Sequence, residues 1–123
     1  MPDHSRWLLR LLCFVMLLLA ACACYAQEPQ EASSSYKAKK DYASLAVLVT
    51  HLRKGMARTE VEALLGEADY SPIEGQEYYS SDRSEFVPKT DTKQTVGLVV
   101  EYRDEQGKVT KQLQQFELGR IGE

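Results

Sequence analysis

The stretch HLRKGMARTEVEALLGEAD, His51 to Asp69, decides how this chain folds. It holds the end of one apolar stripe, a Gly-Met pair, and a second stripe that closes on Leu64, Leu65 and Gly66. Upstream, Leu45, Leu48, Val49 and Leu52 recur at i, i+3, i+4 and i+7, the spacing of one helix face. Asp41 or Ser44 can cap the start of that helix, and Arg53 and Lys54 suit the negative helix end. Gly55 is placed to stop it, because glycine takes the left-handed turn at little cost. The second stripe is Val61, Leu64 and Leu65, with Gly66 as its terminator. Its start is open. Thr59 and Glu62 have capping-box spacing but leave under two turns, whereas a start at Ala57 puts Glu60 third in the helix and supplies no capping oxygen. A helix this short is unstable alone in water and must be held by packing. The Gly55-Met56 corner lets the second stripe fold back until both stripes face one surface, with the flexible Met56 side chain filling the corner.

That surface follows in the sequence. Residues around Tyr78 and Tyr79 read as a strand, and TVGLVVEYR, Thr95 to Arg103, alternates Val96, Leu98, Val100 and Tyr102 onto one face. DEQG then turns with Gly107 at positive φ, and KVTKQLQQFEL returns as a partner strand. Val109 and Leu113 share one parity and Phe116 and Leu118 the other. Either a bulge near Gln114 resets the register or the last residues cover the opposite surface. Ser81 to Gln94 is polar, contains Pro88 and reads as a mobile loop. The expected fold is α+β, with two short helices packed on a three-stranded antiparallel sheet.

The N-terminal segment has a different composition. MPDHSRWLLR carries Arg6 and Arg10, and Leu11 to Ala21 runs without a charge. That run is shorter than the roughly 18–20 residues a spanning helix needs, and its basic, apolar, small-residue order is that of an export signal. LAAC, Leu19 to Cys22, resembles the lipobox of bacterial lipoproteins, which implies a diacylglyceryl group on the Cys22 thiol and cleavage just before it. Ala23 in place of Asp resembles an outer-membrane destination. Cleavage after Ala26 is the alternative and would release a soluble periplasmic protein. The expected organisation is a lipoprotein signal peptide over 1–21, a lipidated flexible tether over 22–40, a domain over 41–118 and a tail over 119–123. Lys37, Lys39 and Lys40 form a basic cluster at the tether's end, read as solvated.

The motif of a helix ending in Gly55-Met56, then Val61, Leu64, Leu65, Gly66 and Asp69, resembles the SmpA/OmlA, or BamE-like, family. Tyr78 and Tyr79 match the family's aromatic strand, and VGLVVEYRDEQGKVT matches its alternating strand, glycine turn and closing strand. The resemblance covers roughly His51 to Leu113. The chain departs from the pattern at Ala57, where the family has a capping Thr or Ser, and at Ala68, where it often has Pro. The resemblance implies an outer-membrane lipoprotein that faces the periplasm and binds envelope proteins of the β-barrel assembly machinery. The same unit is similar to that of β-lactamase inhibitory proteins, so a periplasmic binding or inhibitor module with a soluble protein partner is the second expectation.

Chemistry of other kinds has little to stand on in the sequence. Removing residues 1–21 takes away Arg6, Arg10 and Asp3, which leaves 13 basic against 17 acidic residues and a net charge of −4. This balance argues against a nucleic-acid partner. The chain's three cysteines, Cys13, Cys22 and Cys24, all lie in or beside the leader, so the domain has neither a disulfide framework nor a cysteine metal site. Past the leader the only histidine is His51, and no phosphate loop or nucleophile elbow is present. No enzyme activity, cofactor or metal is expected. The tyrosines Tyr70, Tyr78, Tyr79 and Tyr102 remain as the hint of a binding face. Of the adjacent pair Tyr78 and Tyr79, named as possible partner contacts, one must face the core and the other away from it.

Overall fold

The structure, a computed structural model, describes residues 8, 10–13 and 29–121. The lipid-attachment candidate Cys22 and most of the leader lie outside the described residues. Residues 8 and 10–13 are helical and exposed. The folded body then runs through α1 (29–39), α2 (Tyr42–Thr50), α3 (Arg58–Leu65), β1 (Tyr70–Ile73), β2 (Gln76–Phe86), β3 (Lys93–Glu101) and β4 (Gln115–Arg120). The strands form one antiparallel sheet in the order β1-β2-β3-β4.

The fold is α+β, as expected, but the sheet has four strands instead of three. The fourth strand is β1, an exposed four-residue edge that alternation could not reveal. Its apolar residues Tyr70 and Ile73 stand three apart and still share a face, because the β1-β2 register shifts between them. Ser81 to Gln94, read as a mobile loop, contains the end of β2 and the start of β3. β2 and β3 extend through a bulge between Ser80 and Ser84 to the pair Phe86 and Lys93. Polar residues are compatible with strand structure there because both faces of this arm are solvated.

Residues 29–39 fall within the stretch read as a flexible tether, yet they form a helix that belongs to the core. Tyr36 is 0% exposed and Ala32 and Ser33 are buried. The period escapes notice because the buried face is Ala, Ser and Tyr, not a leucine stripe. Lys40, at φ 55°, ends the run in the left-handed region. The helix is fastened by hydrogen bonds that lie far apart in sequence. Tyr36 Oη donates to the Ser80 carbonyl at 2.6 Å, and Ser33 Oγ donates to the Leu64 carbonyl at 2.6 Å. Lys37 Nζ reaches the Ala63 carbonyl at 2.6 Å. Lys40 lies over the Tyr36 ring and pairs with Asp69. Two members of the basic cluster are therefore structural contacts and not merely solvated charges.

These bonds also explain how eight residues hold as α3. Its last carbonyls receive Ser33, Lys37 and the Gly66 N–H, with Gly66 at φ 79°. At its start Ala57 is the N-cap and provides no side-chain bond. The Arg58 N–H instead donates to the Lys111 carbonyl at 2.8 Å. Tertiary partners thus satisfy both ends. In α2, Asp41 is the cap and accepts from the Ser44 N–H at 3.1 Å. That helix stops at Thr50, before Arg53, Lys54 and Gly55, because residues 51–56 turn toward the 111–113 segment. Gly55 does sit at φ 86°, but in the corner and not at the helix end.

Leu45, Leu48, Leu52, Val61 and Leu65 from the two stripes pack against Tyr79, Leu98, Val100, Tyr102 and Leu113, with Val49, Met56 and Leu64 at the margin. Both stripes face the sheet. Leu113, Phe116 and Leu118 all border the same core. The parity change at Gln114 is thus a register reset: Gln114 donates its N–H to Glu101, which also pairs with Gln115. The expected tail begins inside β4, which includes Gly119 and Arg120, and Ile121 still donates its N–H to the Thr95 carbonyl at 2.9 Å.

Candidate interaction surface

Helices cover one face of the sheet; the other face is where a site can form. Strand alternation sends Tyr79 inward to full burial and Tyr78 outward. Register aligns Tyr70, Tyr78, Val99 and Glu117 in one row across β1 to β4. The Tyr70 and Tyr78 rings meet edge to face, with centroids 5.8 Å apart and planes at 63°. Tyr70 is 61% exposed, and Ile73, on the same face by its pairing with Gln76, is 45% exposed. Beside them Val99, Glu117, Gly119 and Ile121 line a shallow cleft of about 410 Å³. The face therefore presents an aromatic and aliphatic strip with a carboxylate at its far end. Such a surface offers area, ring edges and hydroxyl donors to another protein.

The strip is held rigidly from below. Asp69, immediately before β1, accepts from the Ser80 N–H at 2.8 Å and from Ser80 Oγ at 2.9 Å. Partial burial pushes the Asp69 carboxyl upward, but the Ser80 bonds and the Lys40 charge outweigh it and hold the group below its ordinary range. On the core side, Tyr79 Oη bonds to the Gly66 carbonyl at 3.2 Å and to Glu77 at 3.1 Å. Burial first, and then the Glu77 charge, pushes the Tyr79 phenol well above its ordinary value, so it remains protonated. Arg58 joins this cluster, bonded to Glu62 at 3.0 Å and Glu77 at 2.8 Å and lying over the Tyr102 ring at 4.5 Å.

The residues singled out by sequence separate accordingly. Gly55 and Met56 form the helix corner, Val61 and Leu65 are buried in the core with Leu64 at its margin, and Gly66 ends α3. Of the tyrosines, Tyr70 and Tyr78 make the outward-facing pair, Tyr70 exposed and Tyr78 half-buried, whereas Tyr79 and Tyr102 are buried. Tyr79 is thus withdrawn as a partner contact. Ile73 and Val99 join the surface. Val99's outward parity was readable in the alternating strand, but Ile73's position depends on a bulge. His51 caps the end of α2. A polar cleft of about 590 Å³ opens beside the Gly55 corner, with Lys54, Arg103, Asp104 and Glu105 among its lining residues. Among the described residues no group of three or more His, Cys, Asp or Glu side chains is placed to hold a metal ion, and no helix is long and apolar enough to cross a membrane. No protein-family model, curated protein or solved structure matches the chain.

Proposed function

We propose that this chain is an outer-membrane-anchored lipoprotein that faces the periplasm and binds other envelope proteins without chemical turnover, with β-barrel assembly as its setting. The observation that carries the reading is the Tyr70–Tyr78 pair on the sheet face opposite α2 and α3. Exposed aromatic residues on a rigid support are the usual anchors of protein interfaces. The LAAC sequence supports the anchor. Two or three acyl chains on Cys22, at about 0.8 kcal/mol per buried methylene, would hold the unit at the bilayer essentially permanently.

Photocrosslinkers placed at Tyr70 and Tyr78 in intact cells test the reading. Recovery of barrel-assembly proteins supports it. Recovery of one soluble periplasmic protein instead favours the second reading, a binding or inhibitor module built on the same face. Replacing Cys22 with Ala separates the two halves of the proposal. Loss of membrane fractionation is expected, and continued fractionation with the outer membrane would remove the anchor.

A further inference from the structure

The two edges of the sheet differ. β1 is only four residues long, shifts register along its length and contains Pro72, all features that discourage further pairing. β4 has none of these. Its Glu101, Val99 and Gly97 partners, together with the Ile121 N–H bond to Thr95, assign the odd residues of β4 to the β3 ladder. The N–H and C=O groups of Phe116, Leu118 and Arg120 consequently point away from the sheet. The same three residues send their side chains to the helix side, where Phe116 and Leu118 are only half-buried at the margin of the core.

We propose that β4 pairs with β4 of a second copy of this chain, antiparallel about a two-fold axis, to make one continuous sheet. Two registers keep the faces matched and give both Phe116 and Leu118 a partner within β4. In one, Leu118 opposes its own copy and Phe116 opposes Arg120 on either side, so all three outward-pointing residues form hydrogen-bonded pairs. In the other, Phe116 opposes Leu118, Arg120 is left out, and Glu117 faces Glu117 at about 4.5 Å. Like charges directly opposite are unfavourable, so the first register wins on both counts. It also sets Arg120, whose guanidinium donates to the chain's own Phe86 carbonyl at 3.1 Å, opposite the partner's Phe116 and covers Leu118 with Leu118, which adds to the burial that the monomer leaves half done. The residue set is self-complementary, as a two-fold interface requires. The same row of groups would accept a strand of another protein, but this register, chosen by symmetry and charge, identifies a second copy. The pairing does not depend on lipid at Cys22.

Sedimentation equilibrium of the full chain in detergent tests this. A dimer is expected. Arg120→Pro removes an outward N–H that the β3 ladder does not use, and Gly119 before it tolerates a proline neighbour. It should weaken dimerisation at least tenfold while leaving the circular dichroism melt close to wild type. Arg120→Ala keeps that N–H and should weaken it only a few-fold. Leu118→Lys places two ammonium groups on the axis and should give a folded monomer. A wild-type monomer at every concentration overturns the proposal, as does a dimer indifferent to Arg120→Pro, even if an added strand peptide binds.

Discussion

The Gly55 N–H donates to the Leu113 carbonyl at 2.7 Å, and the Leu113 N–H returns to the Met56 carbonyl at 2.8 Å. With the Ala57–Gln112 bridge and the Arg58 bond to Lys111, this makes a short antiparallel patch outside the main sheet. The corner between the two stripes is accordingly not a free hinge. It is pinned by the segment that leads into β4, and the pinning sets the angle at which α3 meets the core.

Two glycines should respond differently to alanine. At Gly55 an added Cβ meets nothing within 4 Å, so only the left-handed backbone at φ 86° opposes it. Urea denaturation should show a loss of about 1–2 kcal/mol for Gly55→Ala. At Gly97 an added Cβ would collide with the Tyr79 carbonyl oxygen, a backbone atom in the central pair of strands. Gly97→Ala should therefore lose cooperative unfolding or fail to accumulate as soluble protein.

Tyr36 should report whether α1 is part of the folded unit. Tyr36→Phe keeps the ring and removes the bond to Ser80, at an expected cost of about 1 kcal/mol. Tyr36→Ala removes a ring that is 0% exposed and should cost about 3–5 kcal/mol. Paired denaturation curves check both values, and a negligible effect of the alanine variant would detach α1 from the core.

Ala57 has the extended backbone of an N-cap, φ −62° and ψ 137°, without a capping oxygen. Ala57→Ser should stabilise the protein by about 0.5–1 kcal/mol, read as a higher urea midpoint at an unchanged slope.

Asp69 predicts an acid dependence. Its carboxyl is held below the ordinary range in the folded state, so the unfolded chain binds this proton more readily. The stabilisation is complete above the ordinary carboxylate range and is lost as the pH falls through the lower, folded value. Denaturation midpoints taken from neutral pH down to pH 3 should fall for the wild type. Asp69→Asn should start lower at neutral pH and decline less steeply.

The Tyr70→Ser, Tyr78→Ser double variant should stay folded, since both rings lie on the outward face and Tyr70 is 61% exposed, with a modest fall in melting temperature from the half-buried Tyr78. It should lose at least tenfold in recovery of crosslinked or co-purified envelope protein. Unchanged recovery would remove the outer sheet face from the function.

The sequence alone determined the parts of this protein that follow one local period. The leucine stripes of α2 and α3 are visible at helical spacing. The inward alternation from Val96 to Tyr102 is visible as a strand, and Gly66 and Gly107 mark turns that do adopt positive φ. Only the tertiary structure decided what depends on partners distant in the chain. α1 has too few apolar residues to announce itself and is held by Ser80, Ala63 and Leu64. β1 needs β2 as its template and a register shift to align Tyr70 with Ile73. Which of Tyr78 and Tyr79 faces outward was beyond reach for the same reason. Alternation makes the two residues differ, but only the pairing of Tyr79 with Leu98 over a core closed by both helices gives the difference its direction.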